Sequence, residues 1–311
     1  MDMTATNYSL FYRLKQWGLW LSCVLYNNLL LLYDRLYCLF NKEPYIVSPE
    51  ETLKYIWMHK CSVARYGDGE MKLIRGIDMA FQRKDSRMGN RLTQILQGNS
   101  KKLIVCLPGV FGNLSAYRDY DRKYWAMHLA KTRSDWYKFI NKEIVYYDAF
   151  ISRFYMPYKD KSRAPEMLKL WKMIWEGRDI LIVEGEKTRL GIGNDLFDNV
   201  HSIKRVLCPN IGAFAIYDKI LNEVRNFSTG NLVLLALGPT ATIMAADLSE
   251  EGYQAIDVGH IDVEYEWMRG GATEKVAVTN KYVNEAVDGK DIGECEDPEY
   301  QKQIVASVKG V

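Results

Sequence analysis

Four short stretches hold the residues best suited to chemistry. The first, VARYGDGEM (Val63–Met71), places two acids one residue apart, Asp68 and Glu70, inside a glycine turn that follows a short apolar run, with Arg65 just ahead of them. Neighbouring carboxylates raise each other's ionisation cost, and a bound cation offsets that repulsion. The pair can ligate a hard divalent cation, which takes oxygen ligands and leaves its remaining positions to water. Arg65 is a partner for phosphate, and Gly67 and Gly69 allow a sharp turn. The bland alternative is a solvated turn in which Glu70 caps the helix EMKLIRG.

The second stretch, VEGEKTRLGIGNDLF (Val183–Phe197), brings Lys187 and Arg189 to a loop in which Gly191 and Gly193 let backbone amides approach an anion. It suits a phosphate or nucleotide, or is a flexible loop with turn glycines. The dinucleotide fingerprint is not met, because Leu196 stands where the third glycine belongs. In the third, ALGPTATIMAADL (Ala236–Leu248), Gly238 ends a run and Pro239 opens a helix, so Thr240 and Thr242 fall in a first turn whose free amides attract anions. Ordinary capping explains it equally well. The fourth, DVGHIDVEYEWM (Asp257–Met268), aligns His260, Asp262, Glu264 and Glu266 on one face if it is a strand, and His260 with Glu264 if it is a helix. Either way an imidazole meets a carboxylate, as a metal site or a general base requires. A polar edge with a satisfied histidine is the alternative.

Elements must hold these stretches in place. From residue 44 onward short apolar runs alternate with longer amphipathic ones, the α/β pattern. The predicted strands are Ser62–Tyr66, Leu103–Leu107, Ile144–Tyr147, Ile180–Val183, Arg205–Cys208, Leu232–Leu237 and Ala255–Val258; helices are expected at Tyr124–Ile140, Ala164–Trp175, Phe214–Val224 and Thr240–Glu250. Runs of Val, Ile and Leu without polar alternation imply strands covered on both faces, hence a mainly parallel sheet flanked by helices. In such sheets ligands bind beyond the carboxyl ends of the strands, where all four stretches fall. The polar tail after Gly271, with DGKDIGECEDPEY, reads as a loop that wraps the domain or forms a lid.

Composition excludes other classes. A net charge of +2, with 26% charged and 48% hydrophobic residues over 311 positions, fits a globular chain with no general field for nucleic acid. Six scattered cysteines, with Cys106 and Cys208 in apolar runs, read as reduced thiols of a cytoplasmic protein. The segment Gln16–Phe40 is dense in Leu, Tyr and Trp, but Asn27, Asn28, Asp34 and Arg35 interrupt any span of roughly 20 apolar residues. It is expected to be a packing or oligomerisation helix, or an interfacial helix at the inner face of the membrane with Arg13 and Lys15 beside it, with a true span ranked last. No secretory cleavage site accompanies it.

A cation held by carboxylates, anion-binding loops and a candidate base together describe a site for a substrate carrying a diphosphate, and a nucleotide-sugar fits. RYGDGE, VEGEKTRLGIGNDLFDN, RVLCPNIGAFAIYDKIL, ALGPTATIMAADL and IDVGHIDVEYEW, in this order, resemble the bacterial glycosyltransferases of the GT-D fold over about residues 45–290. The resemblance implies a Rossmann-like, mainly parallel sheet with helices on both faces, to which this chain adds an N-terminal hydrophobic helix: a hydrophobic helical segment 1–42, then a GT-D-like domain 43–311. It further implies transfer of a hexose, often glucose, from a UDP-sugar to a hydroxyl of a glycan, glycoprotein or lipid-linked acceptor. Mn2+ (or Mg2+) would be held through a D-x-E motif, matched here by Asp68 and Glu70. The catalytic candidates His260, Asp262 and Glu264, and the donor-binding candidates Arg65, Gly67, Lys187, Arg189, Gly191, Gly193, Gly238 and Thr240, rest on the residue reading. Peripheral membrane contact or self-association through the first helix stays open. A non-catalytic nucleotide-sugar sensor or scaffold is the alternative function. A nucleotide-dependent oxidoreductase ranks behind both, because acids stand where its glycine fingerprint belongs.

Overall fold

The computed structural model describes residues 3–228, 230–290 and 292–310, with side chains from Tyr12 onward. In chain order its elements are α1 (Met3–Phe40), α2 (Pro49–His59), β1 (Ser62–Arg65), α3 (Asp68–Ile74), α4 (Ser86–Gln97), β2 (Leu103–Leu107), α5 (Asp119–Phe139), β3 (Tyr147–Asp148), α6 (Ala164–Trp175), β4 (Asp179–Gly185), β5 (Ser202–Cys208), α7 (Tyr217–Phe227), β6 (Leu232–Ala236), α8 (Pro239–Glu250), β7 (Ala255–Asp257), α9 (Ile261–Arg269), α10 (Pro298–Gln303) and β8 (Ile304–Ser307).

Two compact units are present: Met1–Glu43 with Phe111–Lys138, and Pro44–Val110 with Phe139–Val311. In the first, α1 meets α5. Arg133 donates to both carboxylate oxygens of Asp34 at 2.7 and 3.0 Å and to the Phe111 carbonyl at 2.8 Å, while the Tyr37 and Tyr137 rings lie 6.0 Å apart.

The second unit is built on one sheet of the order β3-β2-β1-β7-β6-β4-β5-β8, parallel at every step. Successive side chains of a strand point to opposite faces, and here both faces are covered. Ile180 and Ile182 of β4 and Leu232 and Leu234 of β6 pack with α2, α6 and α9 residues such as Leu53, Trp171 and Ile261. Leu181, Val183, Val233 and Leu235 pack instead with Ile220 of α7 and Met244 of α8. Each such fully buried side chain contributes about 1.5–3 kcal/mol. The unbroken apolar runs in the sequence are the direct image of this double covering, and the Rossmann-like α/β expectation holds.

The outgoing connections divide between β1 and β7. β1 is followed by α3, which packs on α4, and α4 lies beside α8, whereas β7 leads into α9 in the opposite layer. Neighbouring parallel strands whose connections leave toward opposite faces open a crevice at their carboxyl ends. The β1 and β7 ends therefore form the natural ligand position.

Local departures have local causes. The strand expected at Ile144–Tyr147 is reduced to Tyr147–Asp148, because the Asn141 side chain accepts the Glu143 amide at 3.0 Å and holds the preceding residues in a turn. The helix expected at Phe214–Val224 divides into a 3-10 turn, Ala213–Ile216, and α7. The polar tail is not all loop: it ends in α10 and β8, which pairs with β5. Four residues, Ile304–Ser307, give too short a pattern to read as a strand.

Candidate active site

Arg65 closes β1 and is clamped by the neighbouring strand end. Its Nε donates to the Asp257 carbonyl at 2.8 Å, Nη2 to Asp257 Oδ1 at 2.7 Å and Nη1 to the Ala149 carbonyl at 3.4 Å. The guanidinium passes directly over Gly259, where a Cβ would sit 1.9 Å from Nη2 and where φ is +48°. Only glycine satisfies both demands. Burial holds the Asp257 carboxyl above its usual range, and Arg65 counters it.

Three residues past Arg65, α3 starts with Asp68. Gly67 is its N-cap, and the Gly67 amide donates to Glu70 Oε2 at 2.7 Å, the reach-back of a third-position Glu. Gly67 has φ −138°, extended backbone open to any residue, so the turn does not depend on a glycine there. Gly69 serves space instead: a Cβ would approach Met79 Cε to 2.6 Å. Burial pushes the Glu70 carboxyl up to about 7, and the Asp257 charge works in the same direction. Asp68 is more open and pairs with Lys72 at 2.8 Å.

His260 precedes α9, which is helical from Ile261. Its side chain is 35% exposed, with Nε2 3.4 Å from Glu285 Oε1. Burial, reinforced by Arg153, takes its pKa down to about 3, so the imidazole is neutral at ordinary pH. Glu285 also pairs with Arg153 and Lys275. Burial acts to raise the Glu285 carboxyl, but Arg153, with Lys275 beside it, holds it well below the usual range. Although burial pulls it down, Arg153 is kept above its usual value by Glu285, Glu264 and Asp68. Arg65, Asp68, Glu70, Arg153, Asp257, His260 and Glu285 thus form one electrostatically connected group.

Arg153, Glu285 and Lys275 were not in the sequence reading. Arg153 had a usable signal, since it follows β3 and every strand end in such a sheet merits inspection. Glu285 and Lys275 had none, because they lie in an irregular tail whose path no local pattern records.

Other candidates lie elsewhere in role. Glu264 is fully buried; its Oε2 accepts the Tyr155 and Met156 amides at 3.0 and 2.6 Å, while Oε1 has no hydrogen-bond partner and lies 3.9 Å from Arg153. Asp262 is sealed by Lys281 and by Asn194 Nδ2 at 2.7 Å. Arg189, at φ +53° and 3% exposed, donates to the carbonyls of Asn280 (3.1 Å) and Gly293, and so fastens the tail. Lys187 engages through its backbone, donating to Asn210 Oδ1 at 3.0 Å and accepting from the Tyr282 amide. Gly191 and Gly193 both have positive φ; a Cβ on Gly191 would strike Phe197 at 2.4 Å, whereas Gly193 faces open space. Gly238, at φ +54°, lies against Phe81, which a Cβ would meet at 2.9 Å. Thr240 opens α8 fully buried with no hydrogen-bond partner for Oγ1.

Among the described residues no group of three or more His, Cys, Asp or Glu gathers closely enough to hold a metal. A small divalent cation bound through one or two carboxylates, substrate phosphates and water does not require such a cage. Asp68 and Glu70 supply hard oxygen donors of that kind, and a carboxyl raised to about 7 beside Asp257 is one that a cation would favour in its charged form.

The chain has clear relatives. The family profile "Glycosyltransferase GT-D fold" matches residues 63–286. Glycosyltransferase GlyD of Streptococcus pneumoniae serotype 4 is 39% identical over 260 residues, 83% of this chain and 32% of that protein. The probable glycosyl transferase Gly of Streptococcus gordonii is 38% identical over 264 residues, covering 85% of this chain and 39% of its own. The chain therefore spans a third to two fifths of the length of these curated relatives. A solved domain described as having a distinct glycosyltransferase fold, the highly conserved domain of unknown function 1792, superposes with a TM-score of 0.81 at 43% identity, covering 86% of this chain and 96% of that one.

Proposed function

The chain belongs to the GT-D-fold glycosyltransferase family, and from that premise we propose that it moves a hexose, glucose first among candidates, from a UDP-sugar to a hydroxyl of a glycan, glycoprotein or lipid-linked acceptor on the cytoplasmic side of the membrane. The observation that carries this reading is the convergence of Arg65, Asp68, Glu70, Arg153, His260 and Glu285 at the β1 and β7 ends.

Asp68 and Glu70 would hold Mn2+ or Mg2+, which when bound offsets the charge of a departing nucleoside diphosphate. Arg153 and Lys275, on the same group of acids, are cations for a diphosphate. Of the three base candidates, Asp262 and Glu264 are sealed in the interior, whereas His260 is neutral and partly exposed. We assign it proton removal from the acceptor hydroxyl. A base with a pKa near 3 is weak, and its low value traces in part to Arg153, Arg65 and Lys275. An anionic donor among those cations would offset them and raise the basicity of His260 only in the loaded site.

The test is UDP-glucose turnover over a Mn2+ titration in wild type and Glu70→Gln. Loss on the order of 10^2-fold or more, with an unchanged circular dichroism spectrum, is expected. Wild-type activity in the variant at limiting Mn2+ would overturn the assignment. UDP binding without any turnover in the wild type would instead make the chain a non-catalytic nucleotide-sugar binder.

A further inference from the structure

The helix α1 lies outside the family match, and the chemistry above does not use it. Every residue from Tyr12 to Tyr26 is exposed, and the helix acquires a half-buried face only from Asn27 onward, at Asn27, Leu30, Leu31, Asp34, Tyr37 and Asn41. Three and a half turns and more therefore project without a partner in the described structure.

That projecting stretch is apolar on all sides. Successive helical residues turn by about 100°, so Leu19, Trp20 and Leu21, 57, 59 and 55% exposed, already point in three directions. Trp17 and Tyr26, at 65 and 59%, extend the set. The open apolar surface of α1 is on the order of 1,000 Å2, beyond the roughly 300–600 Å2 of the largest patch on a typical monomer.

The occupant must cover more than a stripe. A second helix reads one face of its partner, along two positions in seven, and would leave Trp20 or Leu19 in water. A lipid boundary closes around a helix from several sides, and Trp and Tyr are the side chains that settle at its headgroup level. Charge agrees: Arg13, Lys15 and Arg35 stand on α1 against one acid, Asp34, which Arg133 neutralises. Among the described residues no helix is long and apolar enough to cross a membrane, so the contact is with the surface.

We propose that α1 docks this protein on an anionic bilayer, with the turns from Tyr12 to Tyr26 immersed at the headgroup boundary. The inference stands apart from the glycosyl-transfer reading, since it is read by partition and not by turnover.

The experiment is density-gradient flotation of the full chain with vesicles of equal parts phosphatidylcholine and phosphatidylglycerol. Wild type floats, and flotation weakens in high salt or on pure phosphatidylcholine. Leu21→Glu/Leu25→Glu, which alters only exposed side chains, lowers partition at least ~10-fold with helix content unchanged. Arg13→Glu/Lys15→Glu lowers it on the anionic vesicles alone. Wild type left at the bottom of the gradient overturns the proposal, and so does a Leu21→Glu/Leu25→Glu chain that floats as well as wild type. A non-floating wild type at twice the 36.1 kDa chain mass, reduced to the chain mass by the same double substitution, gives the surface to a second copy and equally overturns it.

Discussion

Two groups of charged side chains belong to the same sheet, one within its strands and one past their carboxyl ends, and they are finished differently. Within β4 and β5, Glu184 and Arg205 are 0 and 1% exposed and 2.5 Å apart. Arg205 also donates to the Leu190 carbonyl at 2.9 Å and to Gln303 at 2.7 Å, and Glu184 accepts the Leu190 amide at 2.7 Å. Nearby, Asp262 and Lys281 close on each other at 3 and 4% exposure. Beyond β1 and β7, by contrast, Arg153, His260 and Glu285 keep 24, 35 and 22% of their side chains open. The acids and bases are of the same kinds in both groups. What separates the two groups is whether each one's hydrogen-bonding capacity is used up inside the protein.

The comparison breaks most visibly in the closed group. Arg205→Ala leaves Glu184 buried without its counter-charge, and the expected loss is about 3–5 kcal/mol of unfolding free energy, read by urea denaturation. Glu184→Met/Arg205→Leu removes both charges and recovers most of it, because an apolar pair of similar volume carries no desolvation cost. Activity per folded molecule stays near wild type in the double variant. If it collapses while the fold holds, the closed group belongs to the site after all.

The open group answers in the opposite currency. His260→Gln is expected to lower kcat by about 10^2-fold, the low end for removal of a general base, while stability moves by no more than about 0.5 kcal/mol at a partly exposed position. Steady-state kinetics beside thermal unfolding checks both halves. A large stability loss with normal kcat would place His260 with the structural ions.

The sheet was readable because a strand covered on both faces writes an unbroken apolar run, and Ile180–Val183 and Leu232–Leu237 are such runs. The first half of the candidate site was readable for a related reason: Arg65 ends a run of that kind and Asp68, Glu70 and His260 follow such runs, so topology alone sends them to one edge. Sequence could not tell Arg189 from Arg153. Both are basic residues after a strand, yet one spends its donors on tail carbonyls and the other faces an open carboxylate. That distinction depends on where residues 272–293 run, and an irregular segment has no period from which its path can be inferred. Glu285 was invisible on the same ground, as was Lys281, which closes over Asp262.

Glu285 is accordingly the residue that sharpens the contrast most finely. Glu285→Gln keeps the shape and removes the charge that faces His260, Arg153 and Lys275. In the wild type that charge supports a proton on His260, so its loss makes the imidazole a weaker base still, and kcat is expected to fall about 10-fold with the acid limb of the rate profile displaced to lower pH. A purely structural carboxylate would lower stability without moving that limb. The stability effect has its own sign. Glu285 is held below its ordinary value in the folded chain, so its contribution is present above the unfolded value of about 4.3 and is lost as pH falls through the folded one. The wild type should exceed Glu285→Gln by about 1–2 kcal/mol near neutrality, and the two denaturation curves should converge in acid. Curves that stay parallel across that range would mean Glu285 is not ionised against Arg153 in the native protein, and the open group would lose the acid that orients its base.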